Sequence, residues 1–408
     1  MRCEARLEIH TTHDSPHGTP SGRLSYRLRT EAAMACPQIP DLPLDQFGKG
    51  IVAKWLEERI PLSGSMELDL RCNLRCLHCY RDGDWPPGIL QTDEVHCVLD
   101  DIARAGTLWL LFTGGEVFLR RDFFEIYEHA KGLGLMVTLF TNGTTVTERI
   151  ADRLAQLPPY GIEITLYGYS EEVYERVTGV PGSREKCYRG VELLLERSLP
   201  LKVKTVVMRT NQHEFMDMYR FAESRGIPFR WDTQINPNFS GSLAPCNVRL
   251  SPEEAVAIDF AVPKRLEEYR QYYEPRKSFH SSRLFSCGAG SRTFHIDPYG
   301  NMTMCLLLRE PAFSLREMSF GQIWNEMFPP VYHRMRAADH SCNHCNLVSL
   351  CGKCPAWSQM EKGDLEARVE YGCEVGHRRA HKLGYYDGPL DQYSSLSERR
   401  NEILLPVI

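Results

Sequence analysis

Between residues 65 and 231 the chain alternates strand-like runs with amphipathic helical stretches, and this alternation restricts the fold more than any other feature. Apolar and β-branched runs at 65–71, 107–112, 135–140, 161–168, 201–207 and 227–231 read as strands. The stretches 92–105, 123–131, 146–157, 170–177, 183–196 and 212–225 carry apolar residues at helical spacing, as Val95, Val98, Leu99 and Ile102 do in the first. Gly132 stops one helix and Pro158 with Pro159 closes another. Repeated βα units with crossover helices dictate a parallel sheet with right-handed connections. In such sheets a ligand lies outside the carboxyl ends of the strands. A further helix is expected over 47–60, ended by Pro61, and a long one over 251–273, started by Ser251 and Pro252.

The chemistry-bearing motifs fall at those strand ends. Cys72, Cys76 and Cys79 follow the first strand in a C-x3-C-x2-C pattern. A closed zinc site wants four nitrogen or sulfur ligands in a tetrahedron. Three close thiols with no evident fourth suit a [4Fe–4S] cluster with one iron open to a small molecule. A zinc turn completed by His78 or a distant residue is the competing reading. Gly114, Gly115 and Glu116 follow the second strand, and Asn142 the third. Two glycines allow close backbone approach, and their carbonyls with Glu116 can accept from an ammonium group.

The cysteine triplet resembles the signature of the radical S-adenosylmethionine (SAM) superfamily. The resemblance implies an α/β fold, a partial (β/α)6 barrel over 41–236. It also implies a cluster whose open iron chelates SAM, reductive cleavage to a 5′-deoxyadenosyl radical, and hydrogen abstraction from an unactivated C–H bond. The protein then supplies orientation and exclusion of water. By the same resemblance Gly114, Gly115 and Glu116 form a SAM-binding motif, Asn142 lines the pocket, and Thr165 is a fourth-strand hydroxyl that bonds SAM. Arg176 and Arg184 are candidates to pair with the SAM carboxylate, and Tyr80 to pack near the adenine. Asp232 and Tyr167 stand at strand ends where a proton-handling residue would sit.

A second cysteine system follows a linker with a helix, expected over 237–286. Cys287, Cys305, Cys342, Cys345, Cys351, Cys354 and Cys373 include two C-x2-C pairs, and the 293–304 segment alternates about Asp297, Pro298, Tyr299 and Gly300 as a hairpin does. The order resembles the SPASM extension, a small cysteine-rich domain of radical SAM enzymes that binds up to two auxiliary [4Fe–4S] clusters, here over 287–377. The last pair is spaced x2 where that family usually has x3. Carried over by order, Cys342, Cys345, Cys351 and Cys373 hold an outer cluster, and Cys287, Cys305 and Cys354 an inner one. The inner cluster's fourth ligand is Cys246, His295 or substrate. Structural zinc sites are the competing reading, since C-x2-C knuckles alone allow them. Cys97 and Cys187 fall on helix faces as small buried hydrophobes.

The cysteine total is fifteen, odd and rich in short pairs, which in a chain of 408 residues reads as metal ligation in a reducing compartment. A cytoplasmic protein is expected. No run of apolar residues is long enough to span a membrane, and the first ten residues lack the apolar core of a secretory signal. The net charge of -5 without a basic block argues against a nucleic-acid partner. Residues 1–40 and 378–408 read as a flexible arm and a tail, and the arm, which holds Cys3 and Cys36, leaves no room for a peptide-recognition domain. The expected function is a radical SAM/SPASM enzyme that modifies a peptide or protein by cross-linking, epimerisation or side-chain oxidation. The expected partners are the substrate, with or without a separate peptide-recognition protein, and an electron donor such as flavodoxin or ferredoxin. An SPASM enzyme acting on a tetrapyrrole or quinone precursor is the alternative, and a zinc-binding interaction module the alternative from another class. Leu306 follows Cys305 where sulfatase maturases place an aspartate, which counts against that subgroup.

Overall fold

The computed structural model describes residues 54–390, except 56, 82–86 and 278–280. Most of the helix expected over 47–60, the arm with Cys3 and Cys36, and most of the expected tail lie outside the described residues. Six strands run parallel: β1 (Ser63–Asp69), β2 (Trp109–Gly114), β3 (Met136–Thr141), β4 (Gly161–Thr165), β5 (Leu201–Val206) and β6 (Phe229–Asp232). Between them lie α1 (Thr92–Arg104), α2 (Phe123–Gly132), α3 (Glu148–Gln156), α4 (Glu171–Thr178), α5 (Ser183–Glu196) and α6 (Phe215–Ser224). Alternate strand residues point to opposite faces. Phe112, Leu139, Ile162, Ile164 and Val203 are buried in the helix-covered core. Leu111, Thr113, Phe140, Thr165, Lys204 and Val206 point the other way, into a cavity.

The helices begin and end where their sequences allow. Ser170 Oγ accepts from Val173 N (3.3 Å) at the start of α4, and Gly179 ends it in the left-handed conformation. The stretch expected as one helix over 251–273 is two, α7 (Pro252–Asp259) and α8 (Pro263–Tyr273). Pro263 has no N–H to donate and holds Val262 extended, so a helix cannot pass through. The final βα strand starts at Phe229 rather than 227, because Pro228 contributes only its carbonyl, to Val203 N at 3.0 Å.

The expected hairpin is present as β7 (Thr293–Ile296) and β8 (Asn301–Thr303), followed by a short β9 (Phe313–Ser314). It does not stand apart. β7 pairs in parallel with β1, so one sheet runs β6-β5-β4-β3-β2-β1-β7-β8-β9. Gly64 lies opposite Phe294, and any side chain there would meet the Phe294 ring at 2.2 Å. Two longer helices close the described chain, α9 (Pro355–Lys362) and α10 (Glu370–Leu383). Helix α10 runs past residue 377, the expected end of the cysteine-rich region, and stops at Gly384 with positive φ. It packs on the segment expected as a linker: Val375 shares a core with Val256 and Leu250, and Arg379 pairs with Asp259 at 2.7 Å.

Candidate active site

The cysteine loop leaves β1 and is clamped from two sides. Gly115 N donates to Asp69 O (2.8 Å) and Glu116 N to Arg71 O (2.9 Å), which presses the loop after β2 against the residues preceding Cys72. On the other side Arg75 N and Leu77 N donate to Thr178 O and Val177 O at the end of α4. The glycines are required by this contact. A Cβ at Gly114, whose φ is +141°, would meet Asp69 O at 2.2 Å, and one at Gly115 would meet Arg71 O at 1.9 Å.

Cys72, Cys76 and Cys79 line a cavity of about 990 Å³ together with Gly114, Gly115, Asn142 and Thr165. The three thiols lie within one another's electrostatic reach. Burial, reinforced by the neighbouring Cys79, pushes the Cys76 thiol up to about 12, and burial raises Cys72 as well. They therefore give up protons when they bind a metal. Asn142 Nδ2 points at Cys72 Sγ (3.8 Å) and bonds Asn73 Oδ1 (2.9 Å), so it orients the first thiol's segment. His78 is half-buried, with its Nδ1 enclosed and unpartnered, and desolvation lowers it to about 4. Tyr80 lines the cavity and packs edge-on against Phe239.

Several expected residues are placed otherwise. Glu116 is fully buried and does not line the cavity. Its carboxylate accepts from Thr141 Oγ1 (2.7 Å), Thr145 Oγ1 (3.0 Å) and Asn142 N (2.8 Å), so it staples the β2 loop to the β3 loop instead of awaiting an ammonium. Arg176 pairs with Glu172 on the outer face of α4, and Arg184 stacks on Tyr188. Neither reaches the cavity, whose charged lining among the described residues is Arg75, Arg81 and Lys204. Asp232 accepts from Gln234 N in a turn, and it is Gln234 that lines the cavity. Tyr167 does line it, against His78 and in hydrogen-bond contact with Cys76. Lys204 is not singled out by sequence reasoning. A charged residue within the alternating apolar run of a central strand was its only signal.

Cys354 lies within electrostatic reach of Cys305 and Cys287, and Cys351 within reach of Cys373, Cys345 and Cys342. Gly376 lets α10 lie against Cys351, whose Cβ a side chain would meet at 2.6 Å. The two residues after Cys305, Leu306 and Leu307, line the main cavity, so the first group borders it. His295 is not in that group. It is fully buried, with Nδ1 2.9 Å from Ser65 Oγ and Nε2 3.4 Å from Glu67. Burial lowers its pKa against the opposing pull of Glu67, and Arg309 Nη1 lies 3.3 Å from the same Nε2. Cys246 receives a hydrogen bond from Arg249 (2.9 Å) beside the buried Arg249–Glu361 pair. Among the described residues no three His, Cys, Asp or Glu side chains close on a point as ligands of one ion would.

A family model described as the radical SAM superfamily matches residues 67–222, and one described as an iron–sulfur cluster-binding SPASM domain matches 287–355. The protein belongs to the radical SAM superfamily and carries a SPASM domain. It is 25% identical over 316 residues to the AdoMet-dependent heme synthase of Oleidesulfovibrio alaskensis, covering 71% of this chain and 81% of the relative. It is 27% identical over 345 residues to mycofactocin maturase MftC of Mycobacterium ulcerans, covering 81% and 88%. The fold matches that of Streptococcus suis SuiB bound to its precursor peptide SuiA, with a TM-score of 0.61 at 15% identity over 85% of this chain and 84% of that one. As a radical SAM protein with a SPASM domain, it is an enzyme that uses SAM and iron–sulfur clusters. Its donors suit them, being thiols, of which the Cys72, Cys76 and Cys79 triplet lines the cavity.

Proposed function

We propose that this radical SAM/SPASM enzyme modifies a peptide or protein, and that Cys72, Cys76 and Cys79 hold the SAM-binding cluster. The observation that carries the reading is one cavity bordered by the thiol triplet, by Gly114 and Gly115, and by the Leu306–Leu307 turn beside Cys305. Bound there, the cluster and SAM supply a 5′-deoxyadenosyl radical able to take a hydrogen atom from an unactivated C–H bond. The protein's own residues do the rest. The Gly114 and Gly115 carbonyls and Thr165 are the polar groups offered to SAM, and Asn142 orients Cys72. Leu70, Leu111, Phe140, Leu306 and Leu307 keep water from the reacting atoms.

Cys342, Cys345, Cys351 and Cys373 hold an outer auxiliary cluster, and Cys287, Cys305 and Cys354 an inner one with a fourth position for substrate or solvent. A flavodoxin or ferredoxin supplies the electron, a separate protein presents the peptide, and the enzyme works in the cytoplasm. Among the described residues no helix is long and apolar enough to cross a membrane. The likeness to heme synthases favours a second reading, a tetrapyrrole or other small molecule in the same cavity.

The decisive experiment is iron, sulfide and zinc content of anaerobically purified protein, with 5′-deoxyadenosine release under strong reductant. Wild type and a Cys72/Cys76/Cys79→Ala variant are compared. On the order of twelve irons falling to about eight, with SAM cleavage abolished, is the expected result for clusters of four irons each. Zinc in place of iron, or clusters that never cleave SAM, would overturn the proposal. A precursor-peptide gene beside this one separates peptide from small-molecule substrates.

A further inference from the structure

Of the charged residues that line the cavity, none among the described residues is an aspartate or glutamate. Arg75 and Arg81 belong to the cysteine loop, and Arg81 is bonded to Leu70 O at 2.7 Å. Lys204 is different. It sits in the middle of β5, opposite Thr165 of β4, and its ammonium lies over the face of the Phe140 ring on β3. The charged groups facing it are Glu163 of β4, at 3.4 Å, and Arg230 of β6. Glu163 also meets Arg230, at 3.3 Å. One carboxylate is thus shared by two cations. The three groups carry a net positive charge, and of the two cations Lys204 is the one that lines the cavity. No cysteine is among the groups that perturb it.

We propose, building on the function above, that Lys204 is the anion anchor of the substrate site. A carboxylate on the reacting segment of the peptide docks on this ammonium, so the modification falls at an acidic side chain or at the peptide's own C-terminus. Enclosing a cation whose counter-charge is shared is costly, and a carboxylate arriving from the substrate offsets that cost. The same enclosure accounts for the titration of the lysine: burial draws it down to about 7, against the opposing pull of Glu163. Substrate docking raises it again, so carboxylate affinity is full below about pH 7 and falls as pH rises through that point.

The test is acetylation of the reconstituted holoenzyme by a limiting amount of acetic anhydride, with the extent at Lys204 read by mass spectrometry. Four probes are compared in the presence of SAM: N-acetylglutamate N-methylamide, N-acetylalanine, and their neutral counterparts N-acetylglutamine N-methylamide and N-acetylalaninamide. Protection by the first means a side-chain carboxylate is read, and by the second a C-terminal one. The neutral pair should leave labelling unchanged. Lys204→Met should weaken binding of the protecting probe by about thirtyfold or more, the loss expected when one partner of a buried charge pair is removed. Lys204→Arg should retain most of it. Equal protection by the amides, or none by any probe, overturns the proposal. So does full protection by SAM alone, which would give Lys204 to the cofactor's own carboxylate. Release of 5′-deoxyadenosine is followed in the same preparation. SAM cleavage without carboxylate protection sinks the anchor and leaves the enzyme standing, while protection without SAM cleavage does the reverse.

Discussion

Replacing Gly115 by alanine tests whether the glycine pair exists to seat the cysteine loop. The added methyl would lie 1.9 Å from Arg71 O, 2.4 Å from Arg71 C and 2.7 Å from Leu70 O. All three are backbone atoms, so no rotamer change can relieve the clash. Relief requires residues 70–72 to part from the β2 loop, which breaks the Gly115 N–Asp69 O and Glu116 N–Arg71 O bonds. Each such bond is worth about 1 kcal/mol net. Overpacking adds about 1–3 kcal/mol. The sum is about 3–5 kcal/mol, a large share of the roughly 5–15 kcal/mol that holds a domain folded. The displaced backbone leads directly into Cys72, so iron retention should fall along with stability. Gly132 is the control. It ends α2, a Cβ there meets nothing within 4 Å, and its φ is not positive. Gly132→Ala should gain about 0.5–1 kcal/mol, the usual helix advantage of alanine over glycine. Urea unfolding under nitrogen and iron content after desalting measure both. A Gly115→Ala protein within about 1 kcal/mol of wild type, with its full iron, would refute the reasoning.

Three further outcomes follow from the same contacts. Arg309 Nη2 pairs with the fully buried Glu67 at 2.9 Å, so Arg309→Met should cost about 3–5 kcal/mol by stranding that carboxylate; denaturation of the Glu67→Gln/Arg309→Met double variant should recover much of the loss. Burial would push Glu67 up, but hydrogen bonds and charge from His295 and Arg309 outweigh it and hold Glu67 at about 2. Its stabilisation is therefore complete above its unfolded value near 4.5 and is lost as pH falls through about 2, a contribution of about 3 kcal/mol at about 1.4 kcal/mol per pH unit. An acid titration of Glu67→Gln against wild type should lack that component. Serine replacement of Cys287, Cys305 and Cys354, or separately of Cys342, Cys345, Cys351 and Cys373, should remove about four irons each and leave the other group loaded; loss of both sets together in either variant would show that the groups are one site.

The order of strands and helices is open to reading because each element carries its own period and its own stop signals. The same holds for the strand-end placement of Cys72, Gly114 and Asn142, and for the hairpin around Asp297 and Gly300. What the sequence hides are properties of neighbours distant along it. Glu116 looks free in the chain, and only the arrival of Thr141, Asn142 and Thr145 from the next βα unit shows that its carboxylate is taken. His295 looks like a spare ligand beside a cysteine hairpin, until β1 brings Ser65 and Glu67 to it. Arg176 and Arg184 sit at the right distance along the sequence but on the wrong side of their helices. Lys204 shares the inward face of β5 with Val206 by simple alternation, yet that this face borders a cavity depends on the strands either side. The break at Pro263 is written in the sequence, but the helical apolar pattern on both sides of it masks the stop.

The pairing of β7 with β1 bears most on how the two cysteine systems work together. Had the cysteine-rich region hung on a linker, the distance from Cys305 to the Cys72 loop would vary with the linker. Instead the strand that feeds Cys72 lies beside the hairpin that delivers Cys305, Ser65 opposite His295 and Met66 opposite Ile296. Slipping that register by one residue would turn Phe294 into the polar barrel interior and His295 into the core. Gly64 guards against the slip, because among the paired residues of β1 it alone leaves space for the Phe294 ring. Glu67 then locks the far end of the hairpin by holding Arg309, four residues beyond Cys305. Geometry between the two thiol groups is thus set by sheet hydrogen bonds, one glycine and one buried ion pair. In the proposed reaction the spacing between the Cys72 loop and the Cys305 group is therefore set by the sheet rather than by a linker.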